Sequence, residues 1–188
     1  MHGNCLEIAE MMTEKKKRLI EPGSHILLIY NDLNSLREIY SQYARALLPE
    51  NEIVVIGAQY ETIRDVKYTL RFSGIDVERY LNEGMLFVVD AQKGYQEADS
   101  LGIWKLAISL LSRATKEGRR GLTVFGDLGS FFNFEKIEEL VEYETGLPQK
   151  YEDRMKGICC YHLLDFKELN ETQQHMLHEH HFKSVLVQ

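Results

Sequence analysis

The stretch from Cys159 to His181 holds most of the side chains in this chain that could bind a soft metal: Cys159, Cys160, His162, His175, His178, His180 and His181. His175 and His178 lie three apart and would share a helix face. Cys160 and His162 lie two apart and would point the same way from a strand. If the helix folds over the strand end, Cys160, His162, His175 and His178 could hold a zinc-like ion in tetrahedral geometry. No established ligand spacing is present, however. The simpler reading is a solvated histidine cluster beside cysteines that act as small buried apolar residues. A Cys–His nucleophile pair lacks a recognisable activating group or oxyanion hole. No catalytic set is assigned, and neither a cofactor nor a resident metal is expected.

Two acidic residues close apolar runs: Asp90 after Met85-Leu-Phe-Val-Val, and Asp127 after Leu122-Thr-Val-Phe-Gly. A carboxylate there could help hold Mg²⁺ in a phosphoryl-transfer site, or simply turn the chain through its short side chain. The deciding segment follows His25-Ile-Leu-Leu-Ile-Tyr30, where a strand–loop–helix phosphate site would stand. A phosphate cradle needs glycines, so that backbone N–H groups can close on the anion, and a lysine for the terminal phosphates. Asn31-Asp-Leu-Asn-Ser-Leu36 contains neither. His25 opens its strand straight after Pro22-Gly-Ser24, as a ligand or as an imidazole bonded to a neighbouring loop. Tyr95 and Phe131-Phe132 sit in expected loops and suit a lid or partner surface.

Composition narrows the classes. With 188 residues, 44% of them apolar, the chain can bury one substantial α/β core. A net charge of −7 argues against binding a nucleic-acid backbone, and the short run Lys15-Lys-Lys-Arg18 reads as a solvated helix end. No apolar stretch approaches the ~20 residues of a membrane span. Three cysteines, two of them adjacent, suit reduced thiols. A cytoplasmic protein without membrane or direct nucleic-acid partners is expected.

Around these residues the pattern alternates. Residues 1–22 form an N-terminal helical extension (helix 4–20), and residues 23–188 a single α/β domain. Strands are expected at 25–30, 52–57, 85–90, 122–125 and 158–163. Helices are expected at 34–48, 61–72, 101–117, 133–145 and 168–180, with a short turn at 77–81. Residues 91–99 read as a loop, 149–155 as a helical turn and 184–187 as an apolar tail. Continuous apolar strands between helices indicate βαβ units: a three-layer, mostly parallel sheet with helices on both faces. Ligands of such sheets gather at the carboxyl ends of the strands, which places Tyr30, Gly57, Gln59, Asp90, Gly126 and Asp127 near one rim.

The order of segments resembles the MEDS sensory domain (methanogen/methylotroph, dichloromethane-regulator sensory), a divergent relative of the RecA/KaiC-like ATPase core. The resemblance runs from about His25 to Val185. It rests on His25 and Tyr30 of the first strand, Ser73-Gly-Ile-Asp-Val77, Glu83-Gly-Met-Leu-Phe-Val-Val89, Gly126-Asp-Leu128 and Val141-Glu-Tyr-Glu144. Cys160-Tyr161, Asp165-Phe166, and Leu177 with His180 or His181 complete it. Asp127 stands where the family more often has Glu, and His181 where it often has Pro.

The resemblance implies a RecA/KaiC-like core without a phosphate loop, and a sensory module for small organic ligands. In some members that module is joined to DNA-binding or kinase domains. The expected function is a non-catalytic sensor that binds a small molecule at the strand carboxyl-end rim and signals to a regulatory protein partner or a second copy in a homo-oligomer. The ligand residues are His25, Tyr30 and Cys160 from the family pattern, Asp127 from the strand-end rule, and Glu144 from both helix placement and resemblance. The alternatives are a nucleotide-binding protein or weak ATPase with an atypical loop, and a metal-responsive regulator using the C-terminal His/Cys cluster.

Overall fold

Strands covered on both faces need apolar residues without alternation. The first strand meets that demand, since all six residues of β1 (His25–Tyr30) are buried. The computed structural model describes residues 21–151 and 154–187, except for the side chains of residues 99–101. The expected helix 4–20 lies outside the described residues. The order continues through α1 (Leu33–Leu47), β2 (Ile53–Ala58), α2 (Ile63–Phe72), α3 (Val77–Asn82), β3 (Leu86–Asp90), α4 (Ala91–Lys116) and β4 (Leu122–Asp127). It then runs through α5 (Gly129–Asn133), α6 (Ile137–Gly146), β5 (Met155–His162), α7 (Leu163–Phe166), α8 (Glu171–His180) and β6 (Lys183–Val187). The six strands form one sheet in the order β3-β2-β4-β5-β1-β6, and every pairing is parallel. This is a three-layer α/β fold, an all-parallel sheet with helices on both faces.

Side chains alternate across the sheet and so divide its two faces. One face carries Leu28, Tyr30, Val54, Ile56, Phe125, Ile158 and Cys160 against α1, α2 and α3. The helix residues that meet it follow the helical repeat, with Leu36, Ile39, Tyr40 and Ala44 buried on α1 and Val66 and Leu70 on α2. The opposite face holds two separate apolar clusters. Leu27, Ile29, Cys159 and Tyr161 pack with Leu140, Phe166 and Leu177, whereas Ile53, Val55 and Leu122 pack with Leu110 and Ala114 of α4.

Four local expectations change. Residues 91–99 are helical, not a loop: the Asp90 carboxylate accepts the Lys93 N–H at 2.8 Å and caps α4 directly from the strand end. Gly94 inside that first turn had signalled a loop, but one capped glycine is tolerated. The expected helix 133–145 starts only at Ile137, after short α5 and a left-handed Glu135 (φ 55°). Within the expected helical turn 149–155, Lys150 and Tyr151 are not helical: Ser24 bridges Lys150 and the Tyr151 N–H donates to the Gly23 carbonyl at 2.8 Å. The apolar tail is strand β6, which pairs with β1 and makes β1 an interior strand. Among the described residues, no helix is long and apolar enough to cross a membrane.

Candidate functional site

The alternation of β1 and β5 separates the five expected ligand residues into two groups. Tyr30, Asp127 and Cys160 lie on the face covered by α1. The Tyr30 hydroxyl donates to Asp127 Oδ2 at 2.7 Å, and the Gly129 N–H donates to Oδ1 at 3.1 Å. Both carboxylate oxygens therefore have a donor. Burial pushes the Asp127 carboxyl up to about 7, against the opposing pull of these two hydrogen bonds. Cys160 is buried among apolar neighbours, and its thiol lies 3.6 Å from the Ile158 carbonyl.

Above this group the rim is closed. Tyr60 donates to Asp165 at 2.6 Å, Ser130 donates to Gln59, and the space between Leu36, Tyr40, Gln59, Asp127 and Cys160 is about 10 Å³, no more than one water needs. At the β1–α1 connection, Asp32 caps the helix and accepts the N–H groups of Asn34 and Ser35 at 2.8 and 3.1 Å. The amides that would face a phosphate at a helix start are thus occupied by a carboxylate.

His25 and Glu144 belong to the other face, where they meet two residues not assigned from the sequence, Cys159 and His181. One ligating atom from each of the four lies within 4.8 Å of every other, and all four residues are buried. His25 comes from the start of β1, Glu144 from α6, Cys159 from β5, and His181 from the residue just beyond α8. His25 Nε2 is 3.3 Å from Cys159 Sγ and 3.5 Å from Glu144 Oε2, and His181 Nε2 is 3.0 Å from that same oxygen. The Nδ1 atoms face backbone carbonyls, of Pro148 at 3.0 Å for His25 and of Leu177 at 2.7 Å for His181. A carbonyl only accepts, so each Nδ1 carries its proton and each Nε2 turns inward. Burial lowers the His25 pKa, partly opposed by Glu144. Burial also opposes charge on Glu144, but the His181 and His25 imidazoles hold its carboxyl down, to about 2. Burial, and then Glu144, push the Cys159 thiol up.

Between the two apolar clusters of this face lies a cavity of about 390 Å³. Its floor is bare because glycines stand side by side on adjacent strands, Gly57 of β2 opposite Gly126 of β4. A Cβ at Gly126 would meet nothing within 4 Å. Val55, Val89 and Val124 border the floor, Trp104 and Ala107 of α4 form the roof, and Phe131, Tyr143 and Tyr151 close the end. The Tyr151 ring lies over Gly157, so close that a Cβ there would be 2.6 Å from it. The cavity reaches the carboxyl ends of β2, β3 and β4 through Gly57, Asp90 and Asp127. Of the five expected ligand residues only Asp127 borders it; Cys159 lines it and also touches His25.

The four residues first considered for a metal are not assembled. Cys160 faces α1, on the side of the sheet opposite Cys159. His162 caps α7 by accepting the Leu164 N–H at 3.2 Å. His175 is exposed beside Glu179, and His178 faces the Ser184 hydroxyl at 2.9 Å. Strand phase was the available signal: His25 pairs with Gly157, so Cys159, two residues on, shares its face and Cys160 does not. The resemblance offers His180 or His181 without a role, and it is the path of α8 that brings His181 to this cluster.

A family model for the MEDS domain, described as methanogen/methylotroph, DcmR sensory domain, matches residues 24–181. No curated protein matches the chain. Among solved structures, an uncharacterized protein of Pyrococcus horikoshii, crystallised with an unknown peptide, superposes with a TM-score of 0.65 at 18% identity. The match covers 96% of this chain and 82% of that one, a likeness of fold alone.

Proposed function

The chain belongs to the MEDS family of sensory domains, and from that premise we propose that it is a non-catalytic sensor for a small apolar molecule held between α4 and the sheet. The family gives the sensory or regulatory role. The observation that carries the ligand reading is the cavity of about 390 Å³ with its glycine floor and its valine and aromatic walls. That volume is in the range of small-molecule sites. Its walls offer few polar groups, so an apolar or weakly polar molecule gains most from entering. Because the rim is closed, the site proposed for the ligand is the sheet face below α4 rather than the tops of the strands. α4 supplies the roof, and its Leu106 and Ile108 are exposed. A ligand that repositions α4 changes a surface that a regulatory partner reads. The nucleotide alternative has less support, because Asp32 places negative charge on the amides a phosphate would need.

Trp104 is the single tryptophan of the chain and lines the cavity, so its fluorescence tests the reading. Toluene and 1-hexanol are expected to shift Trp104 emission saturably and to raise Tm. Gly126→Val, which fills the floor, is expected to abolish both effects while the variant stays folded by circular dichroism. A linear, non-saturating response, or one unchanged in Gly126→Val, overturns the proposal.

A further inference from the structure

We propose that His25, Glu144, Cys159 and His181 form a closed transition-metal site, with a divalent ion of zinc type as its occupant. The reasoning starts from protons. Each imidazole spends its Nδ1–H on a backbone carbonyl, Pro148 for His25 and Leu177 for His181. This arrangement keeps the proton on Nδ1 and aims Nε2 inward, as backbone carbonyls beside metal-bound histidines do. Both Nε2 atoms then face one carboxylate oxygen, Glu144 Oε2, which is itself only an acceptor. His181 Nε2 stands 3.0 Å from that oxygen, close enough to share a proton with it when no metal is bound. His181 Nε2 and both Glu144 oxygens are buried without any hydrogen-bond partner. Ligand atoms that converge inside a protein are costly unless a cation stands among them, a shared proton when the site is empty or a metal ion when it is filled.

Distances and chemistry agree. In a tetrahedral zinc site with metal–ligand bonds of about 2.0–2.3 Å, neighbouring ligand atoms stand roughly 3.3–3.6 Å apart. Two observed separations, 3.3 and 3.5 Å, match this spacing; the His181–Glu144 pair at 3.0 Å is tighter, and all four ligating atoms, within 4.8 Å of one another, need only a small adjustment around an ion. Two imidazoles, one thiolate and one carboxylate form a mixed N/S/O set that suits zinc or cobalt and is too soft for magnesium or calcium. Four protein ligands fill a tetrahedron and leave no open position, which is the form of a structural site. When the ion binds, Cys159 gives up its thiol proton to solvent and coordinates as thiolate, and any proton held between Glu144 and the imidazoles leaves as well. The site would tie β1, α6, β5 and the α8–β6 junction together. Through Cys159, which also lines the cavity, it would fix one wall of the sensory pocket.

The test uses the full chain, expressed without a polyhistidine tag, stripped with chelator and titrated with Co²⁺ and then Zn²⁺. The expected result is one equivalent bound, with intense visible d–d bands of tetrahedral cobalt and a near-ultraviolet thiolate-to-cobalt charge-transfer band, both lost when Zn²⁺ displaces Co²⁺. Cys159→Ser should remove the charge-transfer band, and Glu144→Gln should weaken binding at least 10-fold, whereas Cys160→Ser and His178→Asn should retain the native spectrum. Absence of tetrahedral bands in the native protein, or a charge-transfer band that persists in Cys159→Ser, overturns the site. The native spectrum decides even if a variant fails to fold. Metal content is read with the cavity empty, and Trp104 emission is read with or without metal, so either proposal can fail alone.

Discussion

β1 and β5 carry a buried polar cluster on each of their two faces, and the clusters differ in how their lone pairs are met. On the α1 face, Tyr30 and the Gly129 N–H each donate to Asp127, so every carboxylate oxygen has a donor. At the opposite end of the sheet Lys156 likewise donates to both oxygens of Glu52, at 2.8 Å each, and Thr123 adds a further donor. On the α6 face, Glu144 has two imidazoles and a thiol around it and no hydrogen bond to either oxygen. Burial is similar in all three. A satisfied cluster closes the fold on itself, whereas convergent atoms without partners mark a place built for something else.

Substitutions can break this contrast, and the largest effect is expected where a satisfied pair is severed. Lys156→Ala leaves Glu52 buried and short of its cation, and should cost about 3–5 kcal/mol in urea unfolding. Asp127 comes next. Its folded pKa of about 7 lies above the ordinary 3.8, so the native state holds its proton more tightly than the unfolded chain does. Its contribution to stability is fully present below about pH 4 and is lost as pH rises through 7. Asp127→Asn should flatten the stability profile over that window and recover roughly 2–4 kcal/mol at pH 8; an unchanged profile would place the titration elsewhere. Tyr30→Phe should cost about 1–2 kcal/mol, and more at pH 8 than at pH 5, because the charged carboxylate needs the lost donor more. The smallest effect belongs to the cavity floor. Gly126→Ala, with nothing within 4 Å of its new methyl, should change stability by less than about 1 kcal/mol yet weaken toluene binding measurably in the Trp104 titration.

Much of the fold was legible because its signals are local. The apolar runs 25–30, 85–90 and 122–125 fall on β1, β3 and β4, and the missing glycines of residues 31–36 correspond to a helix start capped by Asp32. Non-local information was harder to read. Asp90 looked like a loop residue or metal ligand, and only its position against the Lys93 amide shows it as a cap. His25 and Glu144 carry a ligand signal in the sequence, but as partners of Tyr30 and Asp127 at a common rim. Choosing between Cys159 and Cys160 required the phase of β5 relative to β1, which depends on pairing register rather than on residue type. The glycine floor was out of reach for the same reason, since Gly57 and Gly126 become neighbours only when β2 and β4 align.

The strand order also has a consequence in time. β2, β3 and β4 are neighbours in the sheet and follow one another along the chain, so the half of the molecule with α4 and the glycine floor closes shorter loops than the β1–β5 pairing does. β1 pairs with β5 and β6 instead, and His25 meets Cys159 across 134 residues. Long loops close late and slowly. During synthesis the first strand must therefore wait for the last two. The glycine floor and its α4 roof can take shape while the His–Glu–Cys cluster is still scattered along the chain; the Cys159 wall of the cavity arrives only with β5, and docking of β1 then brings in His25.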